Sequence, residues 1–165
     1  MEEDRSTISM PIITPVKYLA GGCNPFKRLW YWMTYTRHWR IMSDWYYILP
    51  NGVKVKIPSG FIFDGASVPR FFRNLLSPTG ILFLAAILHD YAYKYDKLVG
   101  VNADGTLFDY MPNAGRAFWD KIFKEVADAT NGMIYINKVA WFVLRVGGFV
   151  AWNRHRKIIE ICSKN

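Results

Sequence analysis

Apolar and polar positions along this chain change their period partway through. Trp45-Tyr46-Tyr47-Ile48-Leu49 is an unbroken apolar run, Pro50-Asn51-Gly52 interrupts it, and Val53-Lys54-Val55-Lys56-Ile57 alternates apolar with basic residues. A period of two marks a half-buried strand, and an Asn-Gly pair supplies the positive φ angles of a tight turn. The pattern predicts a hairpin over 45–57. Pro58-Ser59-Gly60 breaks the chain, and Phe61-Ile62-Phe63 predicts a short third strand. The spacing then turns helical. Ser67 as N-cap and Pro69 in the first turn predict a short helix over 68–76. Pro78-Thr79-Gly80 separates it from a stronger helix over 81–95. Residues 99–112, with Gly100, Asp104, Gly105 and Pro112, are expected to form a loop. Asn113 is expected to cap another helix running to Asp128 and stopping near Asn131-Gly132. A last helix is expected from about Tyr135, apolar all round to Trp152 and basic afterwards.

Strands followed by helices give an α+β fold, here a small antiparallel sheet and then a bundle of three to four helices. Residues 1–25 contain Pro11, Pro15, Gly21-Gly22 and Pro25 and read as an irregular arm. Between Phe26 and Trp45, Trp30, Trp32, Tyr35 and Trp39 alternate with Lys27, Arg28, Arg37 and Arg40. Such a segment suits strands with aromatics inside and basics outside, and less well a platform for stacked nucleobases. The expected organisation is an N-terminal arm or cap, 1–44, and one α+β domain, 45–165.

Composition narrows the class. With 165 residues, 52% hydrophobic and 17% aromatic, the chain can build one sizeable core and lies far from disorder. A net charge of +8 suits an anionic partner: phospholipid headgroups, an acidic protein surface or, less well, nucleic acid. Cys23 and Cys162 lack metal-binding spacing and read as free thiols. Met1-Glu2-Glu3-Asp4-Arg5 leads into no long apolar run, so no secretory signal is expected. From Ile134 to Trp152 the chain is very apolar, but Lys138, Arg145 and Gly147-Gly148 interrupt it. The expectation is a core helix and no transmembrane segment. Trp141, Trp152 and the basic Arg154-His155-Arg156-Lys157 also have the composition of an interfacial element.

Candidate chemistry centres on His89-Asp90, directly after the apolar run Ile81 to Leu88. A buried imidazole and carboxylate are costly unless each finds a partner. Adjacent helical residues point about 100° apart, so these two can line two sides of one pocket. Tyr93 follows His89 by one turn, on the same face. Asp120 lies on the next helix, and antiparallel packing would bring it to His89. A carboxylate on the far nitrogen of an imidazole fixes its tautomer and raises its basicity, as a general base requires. The structural alternative is a clamp that braces the helices. Asp64 is a candidate metal position beside Asp90, or else a turn residue, and Ser67 is either a functional hydroxyl or a helix cap. The chain has no Gly-rich phosphate loop, Gly-x-Ser-x-Gly, His-Glu-x-x-His or Cys-x-x-Cys.

Ile57-Pro58-Ser59-Gly60-Phe61-Ile62-Phe63-Asp64-Gly65-Ala66-Ser67-Val68-Pro69-Arg70 and Leu88-His89-Asp90-Tyr91-Ala92-Tyr93 resemble two blocks of a family of unknown function common in tailed bacteriophages and prophages, the DUF1353 type. Arg116 to Phe123 resembles its R-x-x-x-D-x-x-F helix, and Gly148 to Trp152 its G-x-x-x-W ending. The resemblance covers 45–155, and Ser67, Arg70 and Arg116, which lie in its blocks, are candidate binding positions. It implies a phage-encoded protein made in the host cytoplasm, with a virion or tail association and other virion or tail proteins as partners. His-Asp-x-x-Tyr also resembles, more weakly, the active-site helix of phospholipase A2. That resemblance implies a calcium-dependent esterase in which His89 activates water, Asp90 binds calcium, Tyr93 holds the dyad and Asp120 orients His89. The candidate cofactor is thus a divalent metal, calcium or zinc. The expected function is a virion- or tail-associated protein with a hydrolytic or metal pocket; the alternative is a purely structural adaptor.

Overall fold

The computed structural model describes residues 10–16, 38–63 and 81–163. Its elements are β1 (Ile13–Pro15), β2 (Trp39–Ile41), β3 (Trp45–Ile48), β4 (Lys54–Ile57), β5 (Ile62–Phe63), α1 (Phe83–Tyr95), β6 (Leu98–Val101), β7 (Leu107–Tyr110), α2 (Arg116–Asn131) and α3 (Ile134–Ser163). The class is α+β. One antiparallel sheet has the order β1-β2-β5 and another the order β3-β4-β6-β7.

The β3–β4 hairpin forms in the register Trp45↔Ile57 to Ile48↔Lys54. Gly52 has φ +86°, and the Asn51 carboxamide accepts from Val53 N–H at 3.2 Å, the two local devices that close this turn. Alternation then does the sorting: Val55 and Ile57 are fully buried, and Lys54 is exposed.

Residues 99–112 are not the expected loop: β6 and β7 form a second hairpin there. Asn102-Ala103-Asp104-Gly105 closes it, with Gly105 at φ +84° and Asp104 Oδ1 accepting from Thr106 N–H at 2.9 Å. Gly100 in β6 pairs with Phe108, whose ring lies over it; a Cβ at 100 would fall 2.2 Å from Phe108 Cζ. The strand glycine thus marks a close approach rather than a break.

Helix α1 is buried nearly all round, from Phe83 through His89 and on to Tyr93. One side carries Phe83 and Tyr91, which meet Phe63 of β5 and the preceding Phe61 at ring separations of 6.0 and 5.0 Å. The opposite side carries His89 and Tyr93 and faces α2 and α3. Burying Leu82, Ile87 and Leu88 completely stabilises the fold by about 1.5–3 kcal/mol each.

Helix α2 begins at Arg116 after Gly115, with no side-chain cap. Asn113 is therefore not its N-cap. It lies in the left-handed region at φ 59°, and its N–H donates to Asp96 C=O at 2.9 Å. Gly132 ends α2 as expected, at φ 66°. Helix α3 continues through the basic segment after Trp152, as expected. It is not simply a core helix: Asn137, Ala140 and Leu144 are buried, whereas Tyr135, Phe142 and Phe149 are exposed. By length and composition Ile134–Arg156 is apolar enough to cross a membrane, although its inner face packs on α1 and α2. The short helix expected over 68–76 and most of the aromatic N-terminal segment lie outside the described residues.

Candidate functional site

Three polar clamps tie the helices together, and the middle one contains His89. At one end α1 stops at Asp96, whose φ of 52° places it in the left-handed region that Asp tolerates. Asp96 Oδ1 accepts from Gly115 N–H at 3.0 Å and Trp119 Nε1–H at 2.7 Å, joining the end of α1 to the start of α2. Arg156 of α3 reaches the same corner, donating to Tyr93 C=O at 2.6 Å and lying 3.8 Å from Asp96 Oδ2. At the other end Asn137, fully buried, donates to Asp128 at 2.8 Å and Asn131 at 2.9 Å, and Asn131 donates to Ile81 C=O at 3.0 Å. These two ends fix α1 antiparallel to α2.

Midway, His89 Nε2 lies 3.0 Å from Asp120 Oδ1, and Tyr93 OH donates to that same oxygen. Arg145 of α3 donates to Asp120 Oδ2 at 3.0 Å. Arg116, one turn before Asp120, has Nη1 at 3.7 Å from Oδ2 and donates to Arg145 C=O at 2.8 Å. Asp120 is 0% exposed and His89 6%. Both carboxylate oxygens are therefore occupied, one by the α1 pair and the other by the two guanidinium groups.

Electrostatics decide the protonation states. Burial alone would raise the Asp120 pKa, but bonds from His89, Tyr93 and Arg145 outweigh it and hold the carboxyl below its usual range. Burial pushes His89 below the ordinary imidazole value, against the opposing pull of Asp120. Burial and then the Asp120 charge push the Tyr93 phenol upward, so it keeps its proton. A neutral imidazole carries one N–H, and an ionised carboxylate can only accept. The proton is thus on Nε2, and the lone pair on Nδ1. Van der Waals contacts hold the ring in place: His89 lies 3.9 Å from the Tyr93 ring and 5.4 Å, edge-on, from Phe123.

Of the residues singled out by sequence, His89, Tyr93, Asp120 and Arg116 come together. Asp90 is half-buried on α1, one position and so about 100° round from His89. Asp64, Ser67 and Arg70 lie outside the described residues. Among the described residues no three His, Cys, Asp or Glu side chains converge as a metal shell would require. Asp90 alone does not make a calcium or zinc site.

Sequence reasoning missed Arg145, taking it only as an interruption of an apolar stretch. The available signal was its isolation: a cation inside an apolar helix needs an acidic partner. It also missed what the Gly148-to-Trp152 block does. A Cβ on Gly148 would come 2.6 Å from Tyr93 OH, and Trp152 stands edge-on to the Tyr93 ring at 5.2 Å. The HDY, R-x-x-x-D and G-x-x-x-W blocks therefore meet at one place, around Tyr93 and Asp120.

Neither the curated proteins nor the solved structures contain a match to the chain. The model of a family described as "Protein of unknown function (DUF1353)" matches residues 39–143, which include β2 to α2 and all of His89, Tyr93, Arg116 and Asp120. The chain belongs to the DUF1353 family.

Proposed function

We propose that this is a phage-encoded, virion- or tail-associated hydrolase whose general base is His89. One observation carries the reading: Asp120 Oδ1 takes both His89 Nε2–H and Tyr93 OH, which leaves Nδ1 as the basic nitrogen. In an ester hydrolysis, Nδ1 takes a proton from water as the water oxygen bonds to the carbonyl carbon. The tetrahedral intermediate then collapses, the bond to the alkoxide breaks, and His89 returns the proton to that leaving oxygen. Asp120 and Tyr93 hold the ring, and the Asp120 charge stabilises the transient imidazolium. The likeness to the phospholipase A2 helix supports a carboxylic ester as substrate. Calcium, where bound, would polarise the carbonyl; Asp90 is its candidate carboxylate, and Asp64 would have to come from outside the described residues. The phage setting is supported by the resemblance of these blocks to those of a family common in phages and prophages.

His89→Gln tests the chemistry, because Gln Nε2 keeps a donor for Asp120 and removes the base. Ester and phosphodiester substrates with calcium, zinc or manganese should be turned over by the wild type and not by the variant. Equal signals from the two proteins would remove the hydrolase.

A second reading is favoured by a separate observation, the complete enclosure of Asp120 among donors from α1 and α3. In that reading the network is a brace within a structural adaptor. It predicts that His89→Gln is as inert as the wild type toward every ester and still binds its virion partner.

A further inference from the structure

Helix α3 has two apolar faces with opposite surroundings. Asn137, Ala140, Leu144 and Gly148, spaced by three and four, are buried against α1 and α2. On the outer side Tyr135, Val139, Phe142, Val146, Phe149 and Val150 are each more than half exposed, Tyr135 at 88%. This stripe runs along about 22 Å of helix. A contiguous apolar surface of that length marks a docking site rather than a scatter of exposed residues. Its charges have one sign: no Asp or Glu occurs from Ile134 to Arg156, and Lys138 and Arg154 stand exposed at its sides.

We propose that this outer face docks on an anionic lipid bilayer, with α3 lying in the headgroup plane. The stretch is apolar enough for the bilayer interior. It does not cross, because spanning would strip Asn137 and Leu144 from the core and pull Arg145 from Asp120. The flanking cations match phosphate headgroups, each worth several-fold in affinity near such a surface. Symmetric pairing with a second copy is disfavoured by the same charges, since two cationic helices would meet with no acidic side chain between them. Docking rests on α3 alone and requires no chemistry from His89.

Co-sedimentation of the full chain with vesicles tests it, using phosphatidylcholine alone and phosphatidylcholine mixed with phosphatidylglycerol. The wild type should bind the anionic vesicles roughly tenfold more tightly than the neutral ones, and binding should weaken with salt. Phe142→Ser combined with Phe149→Ser should abolish binding while the thermal midpoint stays put, because both rings are exposed. His89→Gln should bind like the wild type, which separates this result from any failure of the hydrolase. Absence of binding, or equal binding by the double serine variant, overturns the proposal. So does a dimer in sedimentation equilibrium that the serine variant dissociates while vesicles are ignored; a second copy would then be the occupant.

Discussion

His89 and Tyr93, one helical turn apart on α1, direct their polar atoms at the same oxygen of Asp120 on α2. Two donors on one carboxylate oxygen, with Arg145 on the other at 3.0 Å, describe an ionised acid inside the protein. Such a group is tolerated only while all its partners remain. Asp120→Asn replaces acceptor capacity with a donor and leaves Arg145 without its counter-charge. The expected loss is about 3–5 kcal/mol in urea unfolding. An unchanged midpoint would show that the network does not hold the helices.

The same enclosure gives a pH dependence. The folded pKa of His89 lies below the free value of 6.5, because burial disfavours the cation more than Asp120 favours it. On acidification the unfolded chain takes up this proton first. The stabilisation is thus complete above pH 6.5 and is lost as the pH falls toward the folded pKa. The slope from this one group is at most about 1.4 kcal/mol per pH unit. His89→Gln should flatten the stability profile in that window. A second decline belongs to Asp120 and sets in only below its free value of 3.8. Chemical unfolding across pH, wild type against variant, measures both.

Adjacent glycines on α3 should respond in opposite directions. Gly148→Ala pushes a methyl into Tyr93 OH, at 2.6 Å, and should destabilise by about 1–3 kcal/mol. Gly147→Ala meets nothing within 4 Å and removes a helix-interior glycine, so it should stabilise by about 0.5–1 kcal/mol. Thermal melts of the two single variants settle the contrast. Equal effects would mean that α3 does not sit on Tyr93 in this way.

The legible parts of this protein were those with local causes. The Asn51-Gly52 turn, the helix around Leu88 and the Gly132 stop follow from residues within a few positions of each other. The convergence of His89, Tyr93 and Asp120 was legible too, because antiparallel packing of consecutive helices brings Asp120 to the face that carries His89 and Tyr93. The β6–β7 hairpin was hidden by Gly100, which resembles a breaker until Phe108 is seen lying across it. Its Asp104-Gly105 turn carries the same signal as Asn51-Gly52. Arg145 and Asp96 depend on tertiary partners 25 and 23 residues away, a separation that no periodicity reports. The two faces of α3 could not be told apart by composition, since both are apolar.

The proton on His89 offers the most direct test of the whole account. Nitrogen-15 NMR of histidine-labelled protein, with His89→Gln to assign the signal, reads its tautomer and titration. The account predicts a neutral ring at pH 7 with hydrogen on Nε2, a lone pair on Nδ1, and a midpoint below the ordinary imidazole range. A proton on Nδ1, or an imidazolium at pH 7, would contradict it.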